Sequence, residues 1–169
     1  MQTLTARIND TVDKFRADPA AAVASPSVTA TLLNGHARLS SGPFNWESDL
    51  GPAVGGENLA PSPTAYLLGA LAGCGVVFMR DTLAPLFEVA LDDVQATASC
   101  TSDAAGLLGI EGRDPALGQI SLSISVSSSA PADRIEAMFV AWKERCPIYL
   151  ALLRANPVTV DLTTAPAAG

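Results

Sequence analysis

Residues that build metal centres and disulfide scaffolds are scarce in this chain. Its 169 residues include one histidine, His36, and three cysteines, Cys74, Cys100 and Cys146. An odd number of widely spaced cysteines matches neither a disulfide framework nor a zinc-ligand pattern, and one histidine excludes a His-rich site. No metal and no cofactor is expected. Basic residues are also few: 10 Lys plus Arg stand against 17 Asp plus Glu, a formal charge of -7. A nucleic acid or an anionic membrane surface would be repelled, so neither is an expected partner. The opening "MQTLTARINDTVDKFRADP" is amphipathic and carries acids, without the apolar core and cleavage site of a secretory signal. No charge-free apolar run of about 18 residues is read as a membrane span. The expectation is a cytoplasmic protein whose thiols are reduced at rest, with a small uncharged or apolar partner.

What is present suits a single globular domain: 49% of residues are hydrophobic and 16% charged, enough to bury a substantial core. Residues 1–26 read as an N-terminal helix and linker, 27–164 as the main domain and 165–169 as a frayed tail. Leu4, Ile8, Val12 and Phe15 have helical spacing. Residues 28–39 and 44–50 read as strands around the turn signal "SSGP". The loop "GPAVGGENLAPSP" leads into an apolar helix that starts with Ser62 as cap and Pro63 at its first position and runs to about residue 85. Its apolar residues cover almost the whole circumference, which calls for burial on most sides and makes a partner chain plausible. Strands are expected over 89–102 and 119–128, a second helix after residue 131 with Met138, Phe139 and Trp142 on its face, and a last strand in "NPVTVDLT".

Two cysteines stand out by context. In "KERCPIY", Cys146 occupies an N-cap position with Pro147 at the first helical position, where backbone N–H groups and the helix dipole favour a thiolate. Cys74 lies some three turns into the apolar helix, where burial raises a thiol pKa. Asp81 shares its face with the wrong sign and Arg80 points elsewhere, so any activating cation must come from another element or another subunit. Cys100, in "ATASCTS", reads as a small apolar residue.

The segments "GGENLAPSPTAYLLGALAGC" and "SAPADRIEAMFVAWKERCPIY" resemble the osmotically inducible protein C and organic hydroperoxide resistance superfamily over about residues 28–163. The shared pattern is a Gly-Gly-x-Asn-x-x-Pro-x-Pro loop, an apolar helix bearing one cysteine, and a later Cys-Pro opening a helix. The resemblance implies an α+β fold, an intertwined homodimer with curved antiparallel sheets wrapped around two buried central helices. It also implies that Cys74 is the peroxidatic and Cys146 the resolving cysteine of a peroxidase that reduces organic hydroperoxides, recycled by a dithiol reductant.

The chain departs from that pattern at Thr64, where active members carry a glutamate ten residues before the helix cysteine to hold an arginine at the thiolate. Arg38 is the candidate arginine, with Glu47 and Glu57 as possible replacements for the carboxylate and His36 on the same strand face as Arg38. Phe44, Trp46, Phe78 and Tyr149 are candidate walls of a substrate pocket. Three functions stay open: a cysteine-dependent peroxidase, a binder of a small apolar ligand, and a redox sensor or structural dithiol. Retention of both cysteines favours the first and third, and loss of the glutamate favours the second.

Overall fold

The computed structural model describes residues 3–164, so the tail expected at 165–169 lies outside the described residues. Helix α1 (Leu4–Ala17) is capped by Thr3, whose hydroxyl accepts the Ala6 N–H at 3.2 Å, and it stops before Pro19. None of its residues is buried; Ile8 and Val12 are half-buried.

Three strands follow in one antiparallel sheet: β1 (Thr29–Leu33), β2 (His36–Ser41) and β3 (Phe44–Ser48). The single strand expected over 28–39 is two strands, because Asn34 and Gly35 turn the chain at φ 50° and 89°. Consecutive left-handed residues suit Asn-Gly and match the twist of a tight hairpin. The second turn, at Gly42, was legible. The register sets Arg38 opposite Glu47 and Leu39 opposite Trp46, so period-two alternation sends Arg38 and Trp46 to opposite faces of the sheet.

The loop from β3 to the long helix is organised by Asp49. Its buried carboxylate accepts the N–H groups of Leu50, Glu57 and Leu59 at 2.7, 3.0 and 3.0 Å. Gly56 is required there: a Cβ would stand 2.1 Å from the Leu50 carbonyl oxygen. The Ser48 hydroxyl donates to the Pro61 carbonyl and the Tyr66 hydroxyl to the Glu47 carbonyl, which fastens the sheet to the start of α2 (Pro63–Phe78). Ser62 caps this helix by accepting the Ala65 N–H, and Pro63 fills the first position, where an N–H would have no partner.

After α2 the helical path widens into one π turn, Met79–Leu83, and ends in α3 (Ala84–Leu86). Pro85 has no N–H for the carbonyl four residues earlier, and the widened turn precedes it. The whole stretch Pro63–Leu86 has the length and apolar composition to cross a membrane, but Arg80 and Asp81 interrupt it, as the reading that no charge-free run of that length exists requires. Here one side of it carries the core, packed on β4 (Asp93–Thr101) and β5 (Gly118–Ser127). Gly75 permits that approach, since a Cβ would meet the Ala96 side chain at 3.1 Å and Ile124 at 3.3 Å. β4 and β5 pair antiparallel with alternating burial, turning Ala96, Ala98, Leu122 and Ile124 toward the helix.

A short helix α4 (Ala104–Leu107) sits in the connection between β4 and β5, capped by Asp103. Helix α5 (Ala132–Arg145) adds Met138, Ala141 and Trp142 to a core that includes Leu71, Met79 and Leu83. Cys146 ends α5 and caps α6 (Pro147–Leu153). The strand expected in "NPVTVDLT" is not formed. Residues 154–164 have no regular structure, and Val158, Val160 and Leu162 are 83%, 86% and 89% exposed. The alternation is present, but an extended chain becomes a strand when its backbone finds another, and none is paired with it among the described residues.

Candidate active site

Cys74 and Cys146 come together although they are 72 positions apart: Sγ to Sγ is 2.9 Å. The local cause is the junction between α5 and α6. There the chain breaks helix at Cys146, restarts at Pro147, and aims the new helix's first N–H groups at sulfur. The Tyr149 N–H donates to Cys146 Sγ at 3.4 Å, and the Ile148 N–H acts on the Cys74 sulfur. Cys146 is fully buried and Cys74 is half-buried, so Cys74 is the more accessible of the two.

Trp142 connects the two backbones. Its indole N–H donates to the Cys74 carbonyl oxygen at 3.2 Å, and its own carbonyl oxygen accepts the Cys146 N–H at 2.8 Å. The indole packs on Tyr149, with ring centroids 5.4 Å apart, and stacks with Phe139 at 6.3 Å.

The electrostatics oppose a Cys74 thiolate in the isolated chain. Burial, and then the neighbouring Cys146 sulfur by hydrogen bonding and by charge, push the Cys74 thiol up to about 12, while the Ile148 N–H pulls the other way. Among the described residues no cation contributes. Arg80 pairs with Asp81 at 2.7 Å, and neither is among the groups that shift the Cys74 thiol.

The other candidates are placed elsewhere. Arg38 is exposed on β2, opposite Glu47, with no side-chain bond to either cysteine among the described residues. His36 Nε2 lies 3.4 Å from Glu47 Oε2, and both ring nitrogens are shielded from solvent without a hydrogen bond. Glu57 is exposed and engages Asp49 through its backbone N–H. Thr64 is half-buried in the first turn of α2, about 15 Å along the helix axis from Cys74 at 1.5 Å per residue.

The four aromatics named from the sequence do not gather into one pocket of this chain. Tyr149 lies against Trp142 beside the thiols, and Phe78 packs on the core one turn after Cys74. Phe44 is largely exposed, and Trp46 lines an apolar groove of about 660 Å³ between the β1–β3 sheet and the first half of α2, with Leu39, Tyr66 and Ala70. Cys100 stands at a bulge in β4 and is bonded to neither of the other cysteines. Among the described residues, no cluster of three or more His, Cys, Asp or Glu is placed to hold a metal ion.

One residue beside the thiols and one that orders the loop before α2 escaped the sequence reading. Trp142 was seen only as part of a helix face, although its position four residues before Cys146 already put both on the same side. Asp49 had no local signal, because its partners lie up to ten residues ahead.

Solved structures share this architecture. An OsmC-like protein from Mycoplasma pneumoniae aligns with 77% of this chain and 88% of its own, at 20% identity and a TM-score of 0.62. A Legionella pneumophila protein described as an organic hydroperoxide resistance protein aligns over 77% and 90%, at 16% identity and 0.55. The organic hydroperoxide resistance protein OhrB of Bacillus subtilis aligns over 76% and 90%, at 16% identity and 0.50. At such identities the likeness establishes the mixed α and β fold with antiparallel sheets. No curated protein matches the chain in sequence. The family model described as OsmC-like protein matches residues 55–163, from the glycine pair of the loop through the Cys74 helix and the Cys146–Pro147 junction to the C-terminal segment, and the chain belongs to that family.

Proposed function

We propose that this protein is a cysteine-dependent peroxidase that reduces organic hydroperoxides and works as an intertwined homodimer in the cytoplasm. The observation that carries the reading is the 2.9 Å approach of the Cys74 and Cys146 sulfurs. Membership of the OsmC-like family and solved relatives described as hydroperoxide resistance proteins support it.

The more accessible Cys74 attacks. Its thiolate bonds to one peroxide oxygen, the O–O bond breaks, and the departing alkoxide takes a proton to become the alcohol, leaving a sulfenic acid. The Cys146 sulfur then displaces the hydroxyl group, which leaves with a proton as water, and a disulfide forms. The two electrons lost by the sulfur pair are the two gained by the peroxide. A dithiol reductant restores both thiols by exchange. The sulfurs carry this chemistry without a metal or cofactor.

With the Cys74 thiol pushed far above the ordinary range by burial and the neighbouring Cys146 sulfur, very little is thiolate at pH 7, so the mechanism needs a cation. A second copy is the proposed source, through Arg38. Within its own chain α2 buries only Leu71 and Gly75, and Val77 and the apolar groove beside Trp46 stay open, which supports cover by another chain. In that assembly Phe78 and Tyr149 flank the thiols, and Phe44 and Trp46 contribute from the sheet.

The raised Cys74 pKa, together with Thr64 at the family's glutamate position, favours a second reading: a binder of small apolar ligands or a redox sensor with little turnover. Thiol titration separates the peroxidase from the binder, and consumption of many hydroperoxide equivalents per chain in excess dithiothreitol separates it from the sensor. The peroxidase loses two free thiols per chain on adding cumene hydroperoxide and regains them with dithiothreitol; a binder keeps its thiols.

A further inference from the structure

We propose that Trp142 is a positioning residue that sets the redox equilibrium of the thiol pair by bracing the backbones of both cysteines. This rests on the reading that Cys74 and Cys146 form a disulfide.

The argument begins with which atoms are held. The indole N–H of Trp142 bonds the carbonyl oxygen of Cys74, and the Trp142 carbonyl oxygen accepts the Cys146 N–H. One residue thereby ties α2 to the α5–α6 junction through main-chain atoms of both cysteines. Neither bond uses sulfur, so neither is consumed when the sulfurs react. The indole is itself immobilised: it is 2% exposed and lies between Phe139 and Tyr149. On the far side, α2 rests on β4 and β5 through Gly75. The helix is held from both sides at the level of the reacting residue.

A pair kept in close contact while reduced loses less freedom on forming the disulfide, which favours the oxidised form. Removing the indole donor loosens one of the two anchors and leaves the sulfurs chemically unchanged. The expected consequence is a shift in the dithiol–disulfide equilibrium rather than in the intrinsic chemistry of either sulfur.

Trp142→Phe keeps an aromatic ring at the site and deletes the N–H. The natural protein and the variant are equilibrated with mixtures of reduced and oxidised dithiothreitol, where each protein disulfide reduced converts one dithiol to its cyclic disulfide. The expected result is an equilibrium constant for the protein disulfide lowered about five-fold, the size of effect one hydrogen bond supports. This corresponds to a potential raised by about 20 mV for a two-electron couple.

Phe139→Leu, which removes a stacking partner and leaves the indole N–H in place, is expected to lower stability while leaving the constant within about two-fold. An unchanged constant in Trp142→Phe, or an equal shift in Phe139→Leu, overturns the proposal. If Trp142→Phe fails to fold, hydrogen exchange of the nitrogen-labelled Trp142 indole in the natural protein decides: slow exchange in both redox states supports the brace, and fast exchange in the disulfide form overturns it. Because the dithiothreitol couple replaces the peroxide, a protein inert to hydroperoxides but responsive to Trp142→Phe contradicts the peroxidase reading and leaves this inference standing.

Discussion

The hydroxyl of Tyr66 in α2 donates its proton to the main-chain carbonyl of Glu47 in β3. It joins the helix that carries Cys74 to the strand that pairs with Arg38. With the Ser48–Pro61 bond, it is a direct tie between the β1–β3 sheet and the start of α2. Tyr66→Phe deletes this tie and keeps the ring, and is expected to cost about 1 kcal/mol. Urea unfolding followed by tryptophan fluorescence reads the loss, and an unchanged midpoint shows that the tie adds nothing.

Asp49 predicts how the loop responds to acid. The N–H of Leu59 contributes most to holding its carboxyl below the ordinary carboxylate range, burial opposes, and the Leu50 and Glu57 N–H groups add to the lowering. A depressed carboxylate contributes stability above its unfolded pKa, near 3.8, and that contribution is lost as pH falls through the folded value. Asp49→Asn is therefore expected to be less stable than the natural protein at pH 7, with a smaller further loss between about pH 4 and 2. Urea midpoints across that range test it; parallel curves for the two proteins contradict the assignment.

Much of this was readable from residue types with local consequences. Ser62-Pro63 marked the start of α2, and Cys146-Pro147 marked the restart of the helix, because caps and first-turn prolines act within one turn. Asn34-Gly35 is just as local, yet the β-branched and apolar residues on both sides read as one strand and hid it. The alternation of Val158, Val160 and Leu162 was legible, but strand formation depends on a partner that no local pattern supplies. Asp49 was invisible because its work is done eight and ten residues away. The positions of Cys74 and Cys146 on their helices were legible from spacing; their meeting across 72 residues was expected from family likeness alone, since spacing on separate helices says nothing about their contact.

Thr64 and Arg38 set the expected pH profile. Burial and the Cys146 sulfur hold the Cys74 thiol high in the single chain and the proposed Arg38 of a second copy lowers it, so sulfenic acid formation should rise with pH, following the thiolate, until the lowered thiol is fully ionised. Thr64→Glu is expected to lower the pKa, each unit being worth about 1.4 kcal/mol, and raise the rate at pH 7. Arg38→Ala is expected to reduce it. If Thr64→Glu has no effect while Glu47→Gln abolishes the reaction, the carboxylate opposite Arg38 has taken the role; Glu57, which lies in the loop outside the β1–β3 sheet, is the poorer substitute.

The apolar surface along α2 predicts the assembly. Light scattering at micromolar concentration should give the mass of two 17.3 kDa chains, and charged substitution at Val77, half-exposed on α2, should weaken the dimer. A compact folded monomer of the natural protein contradicts the homodimer and, with it, the source proposed for the cation.

The most direct test is to treat the reduced protein with one equivalent of cumene hydroperoxide, quantify the alcohol, and map disulfides by mass spectrometry. The account predicts one alcohol formed per disulfide, a single cross-link between the peptides containing Cys74 and Cys146, and Cys100 recovered as a free thiol. Unconsumed hydroperoxide with all three thiols intact, or a cross-link that includes Cys100, would contradict it.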